Sequence, residues 1–235
     1  MSDTFIGELL ASHHPVIMEI KKRSADGEDL FRRRSLSEIV SEYHRAGAPC
    51  LSVVTGRWFG GTDAMLHDVA RLTDLPILKK DFITKESQIV QAKDMGASAI
   101  LLTARILPRS VLQRLITTTL RHGLTPFVEA AGEPELEAVS HGEDCVVAIN
   151  NKDIQHRERG HADVDRSLAL RELALLTGTR CPVSASGIDE PDVAARLINA
   201  GFKGVLVGTG LLRAQSAQSW SREFDQHRRE MTGAA

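Results

Sequence analysis

The stretch Ala99-Ile-Leu-Leu102, then Val111-Leu-Gln-Arg-Leu-Ile-Thr-Thr-Thr-Leu-Arg-His122 with Gly123 behind it, then Thr125-Pro-Phe-Val-Glu129, holds the pattern on which the fold turns. A short apolar run reads as a buried strand, the longer stretch as an amphipathic helix, the glycine as its stop, and the next run as a second strand. The unit recurs in both directions. Upstream lie the runs Val16–Lys21, Cys50–Thr55 and Ile77–Lys80; downstream lie Cys145–Asn150, Val183–Ala185 and Gly204–Val207. Helical patterns fill the gaps, as in Leu36–Arg45, where Leu36, Ile39, Val40 and Tyr43 recur at helical spacing. Ala64–Leu72, Ser87–Met95, Glu133–Val139, Ser167–Leu176, Pro191–Ala200 and Ser219–Met231 do the same, and Gly47, Gly96, Gly178 and Gly201 stand at helix ends.

Strand and helix in alternation imply a parallel sheet covered by helices, and eight such units predict a (β/α)8 TIM barrel. A doubly wound sheet competes, but it has fewer strands and a glycine-rich first turn, and no G-x-G-x-x-G occurs here. The chain of 235 residues fits a single barrel domain, with Met1–His14 as a short N-terminal segment and no linker or low-complexity stretch.

Composition narrows the function. Net charge is −2 and aromatic residues are scarce, at 7 Phe, 2 Trp and 1 Tyr. Neither a nucleic-acid partner nor an anionic membrane finds a general attraction, and stacking platforms for single strands are absent. The apolar stretch Ile6–Leu10 is too short for a signal peptide, and no run is long enough to span a bilayer. Cys50, Cys145 and Cys181 are far apart, odd in number and placed at strand starts, where they read as small core residues. A cytoplasmic protein is expected.

In such a barrel the active site lies at the C-terminal ends of the strands. Glu19 and Lys21 are two apart on the first strand and so point to one side, into the barrel. Lys80 ends the third strand, Glu129 the fifth and Asn150 the sixth. Charges aimed into one mouth are costly unless paired, and a lysine that gives a proton beside a glutamate that removes one suits general acid–base chemistry. Ser186-Gly187 after strand seven and Gly208-Thr209 after strand eight suggest a phosphate cradle, with Lys21 as countercharge; taken singly, each is a plain turn glycine. Trp58-Phe59 after strand two offer an aromatic wall.

These residues resemble the indole-3-glycerol phosphate synthase family. The resemblance rests on Glu19-Ile-Lys-Lys22, Cys50–Thr55, Leu78-Lys-Lys-Asp-Phe-Ile83, Gly96–Leu102, Val128-Glu129, Ile149-Asn-Asn-Lys-Asp-Ile154, Ser184-Ala-Ser-Gly-Ile188 and Val207-Gly208, in order from about Pro15 to Arg213. It implies a carboxy-lyase of tryptophan biosynthesis that closes a ring without a cofactor or metal, acting on the sugar phosphate 1-(o-carboxyphenylamino)-1-deoxyribulose 5-phosphate. Lys80 matches the family's general acid for ring closure, and Glu129 the glutamate at the same centre, as acid or base. Glu19 and Lys21 match a pair used in binding and dehydration, and Asn150 an asparagine that positions substrate. Ser186, Gly187, Gly208 and Thr209 match the phosphate cradle.

The departures are specific. Where the family reads Ser-Pro-Ser after its first lysines, this chain has Ser24-Ala25-Asp26-Gly27. Ala185 stands in place of a glutamate, and Lys152 in place of an arginine whose bidentate contact a lysine does not reproduce. The loop after strand six is longer and holds His156 and His161, five apart and read as loop histidines rather than metal ligands. The family carries a longer segment before its first strand, so an apolar barrel face is expected to lie open for a partner subunit. Arg32–Arg34 read as a solvated loop. Two alternatives stand beside the main reading: a paralogue acting on another arylamino sugar phosphate, and a non-catalytic barrel that binds a phosphate ligand. The neighbouring isomerase of the pathway would place a cysteine base on strand one, against Glu19 and Lys21.

Overall fold

A computed structural model describes residues 4–152 and 162–233. Eight parallel strands close into a barrel: β1 (Val16–Ile20), β2 (Leu51–Val54), β3 (Ile77–Lys80), β4 (Ala99–Thr103), β5 (Thr125–Ala130), β6 (Val146–Asn150), β7 (Cys181–Ala185) and β8 (Gly204–Val207). Pairing of Val16 with Val205 and Met18 with Val207 seals β1 to β8. Outside run α2 (Leu36–Arg45), α3 (Asp63–Ala70), α4 (Glu86–Asp94), α5 (Arg109–Arg121), α6 (Glu133–Leu136), α7 (Asp165–Leu176), α8 (Pro191–Asn199) and α10 (Ala217–Thr232). The helix α2 begins where Ser35 accepts from the Glu38 N–H and Glu38 returns the bond to the Ser35 N–H, a capping box, and it buries Ile39, Val40 and Tyr43.

Strand alternation splits the core in two. Outward residues such as Met18, Val53, Ile100, Val128, Val147 and Val205 pack under the helices. Inward residues, among them Ile17, Leu78, Leu101, Phe127, Val183 and Leu206, fill the barrel. Cys50 and Cys181 belong to the inner set and Cys145 to the outer, all three buried.

Two expectations are corrected. At the floor of the barrel the expected open apolar face is closed by the segment before β1, whereas Trp58 and Phe82 at the mouth stay exposed. Thr4–Ala11 form a helix, α1, whose Phe5, Ile6 and Leu9 are fully buried in the inner cluster, with Phe5 meeting the Phe127 ring edge-on at 6.3 Å. Burying apolar surface against the barrel interior overrides a weak local signal that includes Gly7. Nor is Arg34 a solvated loop residue. It donates to the carbonyls of Phe31, Leu30 and Leu212 and pairs with Glu42 at 3.2 Å, clasping the β1–α2 loop to a short helix, α9 (Thr209–Arg213). Arg32 and Arg33 take positive φ in this turn, and the guanidinium of Arg34 braces it from both sides. His156 and His161 lie outside the described residues.

Candidate active site

The C-terminal ends of β1, β3, β5 and β6 bring Glu19, Lys21, Lys80, Glu129 and Asn150 to one mouth, all of them buried. Glu19 is its hub. One carboxylate oxygen lies 3.2 Å from Lys21 Nζ and the other 3.3 Å from Lys80 Nζ. Burial alone would push the Glu19 carboxyl up; the Lys80 and Lys21 ammonium groups together outweigh burial and hold it below the usual value of 4.5. The hub is held from both sides. Tyr43 on α2 donates its hydroxyl to the Glu19 carbonyl at 2.9 Å, and at Gly208 any Cβ would overlap the Glu19 carboxylate. The lack of a side chain at Gly208 thus leaves room for the ion-pair geometry.

The mouth has two halves joined at Lys80. On the β2–β3 side lies a largely apolar cavity of about 250 Å³ with Trp58, Phe59, Phe82, Leu101, Lys80 and Glu129 in its wall. Thr55 donates to Asp81 at 2.8 Å and Asp81 accepts the Phe82 N–H at 2.8 Å, which fixes the loop carrying Phe82. Lys21 Nζ stands 5.5 Å from the centre of the Phe59 ring, a cation–π contact. On the β7–β8 side is a small polar cleft lined by Lys21, Lys80 and Lys152, by the carboxylates of Glu19 and Asp189, and by Ser186, Gly187, Gly208 and Thr209. Its three lysines outnumber its two carboxylates, which leaves this half attractive to an anion. Ser186 and Gly187 both take positive φ, 70° and 68°, and a Cβ at Gly187 would overlap Ala162.

Every site residue expected from the sequence lies at this mouth. Asn150 is fully buried and accepts the Lys152 N–H at 2.8 Å, and among the described residues its amide nitrogen has no hydrogen-bond partner. Phe82 was missed: it follows Lys80-Asp81 in a quoted motif, but only the loop geometry turns its ring to the cavity. Asn151 was missed as well, because strand alternation sends its side chain away from the mouth. Lys79 shows the same rule. It points outward and pairs with Asp63 at the start of α3, leaving Lys80 to the interior. Ala185 is buried on the inner face, paired in register with Asn150. Among the described residues, no three His, Cys, Asp or Glu side chains gather to hold a metal ion.

The chain matches the family model described as indole-3-glycerol phosphate synthase over residues 3–224. It is 33% identical over 215 residues to the indole-3-glycerol phosphate synthase of Pyrococcus furiosus, covering 91% of this chain and 92% of that one. To the enzyme of that name from Nocardioides it is 37% identical over 205 residues, covering 86% and 76%. In fold it is similar to a crystal structure of 3-hexulose-6-phosphate synthase from Salmonella typhimurium, with a TM-score of 0.70, 11% sequence identity, and 92% and 98% of the two chains covered.

Proposed function

The chain belongs to the indole-3-glycerol phosphate synthase family, and from that membership we propose how its own mouth carries out the reaction. The substrate is 1-(o-carboxyphenylamino)-1-deoxyribulose 5-phosphate. The observation that carries the assignment of roles is Lys80, which stands at the seam of the apolar cavity and the polar cleft and is paired with an ionised Glu19. An aryl ring in the apolar half and a phosphate in the polar half put the ketone between them, beside that ammonium group.

The ring carbon that bears the carboxylate attacks the ketone carbon, and Lys80 gives its proton to the ketone oxygen. Carbon dioxide leaves, and its bonding pair restores the aromatic ring. The new hydroxyl then departs as water, and a proton lost from the adjacent carbon completes the indole. Glu19 is held ionised by two ammonium groups, which makes it a poor acid and a weak base; its part is to keep Lys80 and Lys21 aimed. That leaves Glu129, in the wall of the aryl cavity, to move the proton of dehydration, with Lys21 as the donor to the leaving hydroxyl. Asn150 offers its open amide N–H to the substrate. Lys21, Lys152, Ser186, Gly187, Gly208 and Thr209 take the phosphate, and Trp58, Phe59 and Phe82 the ring. Nothing in this chemistry calls on a cofactor, a nucleic acid or a membrane. Among the described residues no helix is long and apolar enough to cross a bilayer, which suits a single barrel domain at work in the cytoplasm.

A second reading, a paralogue acting on a related arylamine, is favoured by Ala185, a methyl beside Asn150 where the family motif carries a carboxylate. One experiment tests both. Purified protein is given carboxylated and non-carboxylated arylamino-deoxyribulose phosphates, with indole absorbance and carbon dioxide followed together. Equal amounts of both products from the o-carboxyphenyl substrate are expected. Turnover of another arylamine alone would establish the paralogue, and none at all would leave a binding barrel.

A further inference from the structure

Behind the polar cleft, on the outer face of the barrel, sits a closed polar triangle that the reaction does not use. Asn151, Ser167 and Ser184 are each fully buried. The Ser167 hydroxyl donates to Asn151 Oδ1 at 2.7 Å and lies 2.6 Å from the Ser184 hydroxyl. Asn151 Nδ2 donates to Ser184 Oγ at 3.0 Å and, with its second hydrogen, to the backbone carbonyl of Ser186 at 3.1 Å. The side chain of Asn151 is therefore satisfied at both ends. Polar groups wholly out of water persist where each has its partner, and such a network specifies one arrangement of the elements it joins.

The elements it joins meet at the phosphate half of the mouth. Asn151 follows β6, Ser184 is on β7, and Ser167 is in the first turn of α7. The backbone of Asn151 ties the same three places. Its N–H donates to the Ala185 carbonyl at 3.0 Å, and its carbonyl accepts the Asp163 N–H at 2.9 Å. Ala162, next to Asp163, packs on Gly187 so closely that no Cβ fits there. Ser186 is the strained member: a non-glycine residue at φ 70°, a conformation that persists only when its surroundings impose it. Its carbonyl accepts a side-chain hydrogen bond from Asn151.

We propose that Asn151, held by Ser167 and Ser184, is the positioning residue of the phosphate cradle: its carboxamide holds the Ser186 carbonyl and so keeps the Ser186–Gly187 turn open toward a phosphate. This rests on the assignment of the β7–β8 cleft as the phosphate half. Asn151 touches no substrate, so its loss weakens capture of the phosphate while the proton transfers at Lys80 proceed.

The test uses the full chain and inorganic phosphate as probe, with binding followed by calorimetry and by competitive inhibition of turnover. Asn151→Ala is expected to raise the phosphate dissociation constant and the substrate KM about tenfold, as for one or two lost buried hydrogen bonds, with kcat falling less than about threefold. Ser167→Ala, which removes one donor to Asn151 and leaves the bond to Ser186, is expected to raise both about threefold. Phosphate affinity and KM within twofold of the parent in folded Asn151→Ala overturns the proposal, and so does a tenfold loss of kcat at unchanged KM. If Asn151→Ala does not fold, Ser167→Ala decides by the same criteria. A parent protein that turns over substrate yet is neither bound nor inhibited by inorganic phosphate sinks the cradle assignment itself; a parent that binds phosphate as well as the variants do sinks the role of Asn151 alone.

Discussion

The two ends of the barrel interior are buried to the same degree and built from opposite chemistry. At the floor, Phe5, Ile6 and Leu9 of α1 meet Ile17, Cys50, Leu78 and Phe127, all without solvent exposure. At the mouth, Glu19, Lys21, Lys80 and Glu129 are ionisable yet only between 2% and 8% exposed. One strand serves both: β1 and the residue after it present Ile17, then Glu19, then Lys21 to the interior. Burial at the floor stabilises through apolar surface removed from water, about 25 cal/mol per Å². Burial at the mouth is unfavourable for a charge, and for Lys21 and Lys80 pairing through Glu19 offsets it. The floor therefore holds the fold while the proposed chemistry belongs to the mouth, and substitutions should separate along that line.

The largest expected effect is at the mouth. Lys80→Met removes the proposed proton donor at the ketone, and turnover at saturating substrate should fall about a thousandfold, within the range that one general acid supplies. Substrate affinity by calorimetry should stay close to that of the parent. Turnover within tenfold of the parent would show that the acid lies elsewhere. Next is the floor. Phe5→Ala leaves a cavity against Phe127 and should reduce unfolding free energy by about 3–5 kcal/mol in urea titration. Its kcat/KM at a temperature where it is folded should hold within twofold. If Phe5→Ala lost activity as Lys80→Met does, the two ends would not be independent. A smaller effect is expected where the mouth is apolar. Trp58 is 70% exposed, so Trp58→Ala should raise KM about three- to tenfold, the worth of one aromatic contact, with kcat unchanged. A fall in kcat without change in KM would place the ring of the substrate elsewhere.

The mouth was easier to read in the sequence than the floor. Glu19, Lys21 and Lys80 break apolar strands with charge, and strand alternation alone decides that they face inward together. All eight strands were visible as apolar runs, and Gly47, Gly96, Gly123, Gly178 and Gly201 at the helix ends all take positive φ. The helix α1 was not, since eight residues with a glycine among them are too few to nucleate alone and form only against the barrel they plug. Arg34, Phe82 and Asn151 escaped for a different reason. Their roles depend on where loops bring distant backbone: Leu212 for Arg34, the aryl cavity for Phe82, Ser186 for Asn151. Local pattern carries the parity of a strand but no information on what a loop will meet.

The smallest expected effect sharpens the comparison through pH. Each end of the barrel has one buried group whose folded-state pKa is depressed, for unlike reasons. At the mouth it is Glu19, where burial pushes up and the two lysines prevail. At the floor side it is His14, just before β1, where burial pushes down and prevails over the 3.1 Å hydrogen bond to Asp225, keeping the imidazole neutral beside the Phe224 ring. In both cases the unfolded chain takes up a proton at a higher pH than the folded one does. Both therefore contribute stability that is whole above the unfolded pKa and is lost as pH falls through the folded one. The windows differ: for His14 the loss starts near 6.5, and for Glu19 near 4.5. Melting temperature measured from pH 8 to pH 3 should show His14→Gln removing part of the decline that begins in the upper window, and Glu19→Gln part of that in the lower. A His14→Gln curve parallel to the parent's through the upper window would mean that His14 titrates alike folded and unfolded, and that the floor side, unlike the mouth, carries no proton-linked stability.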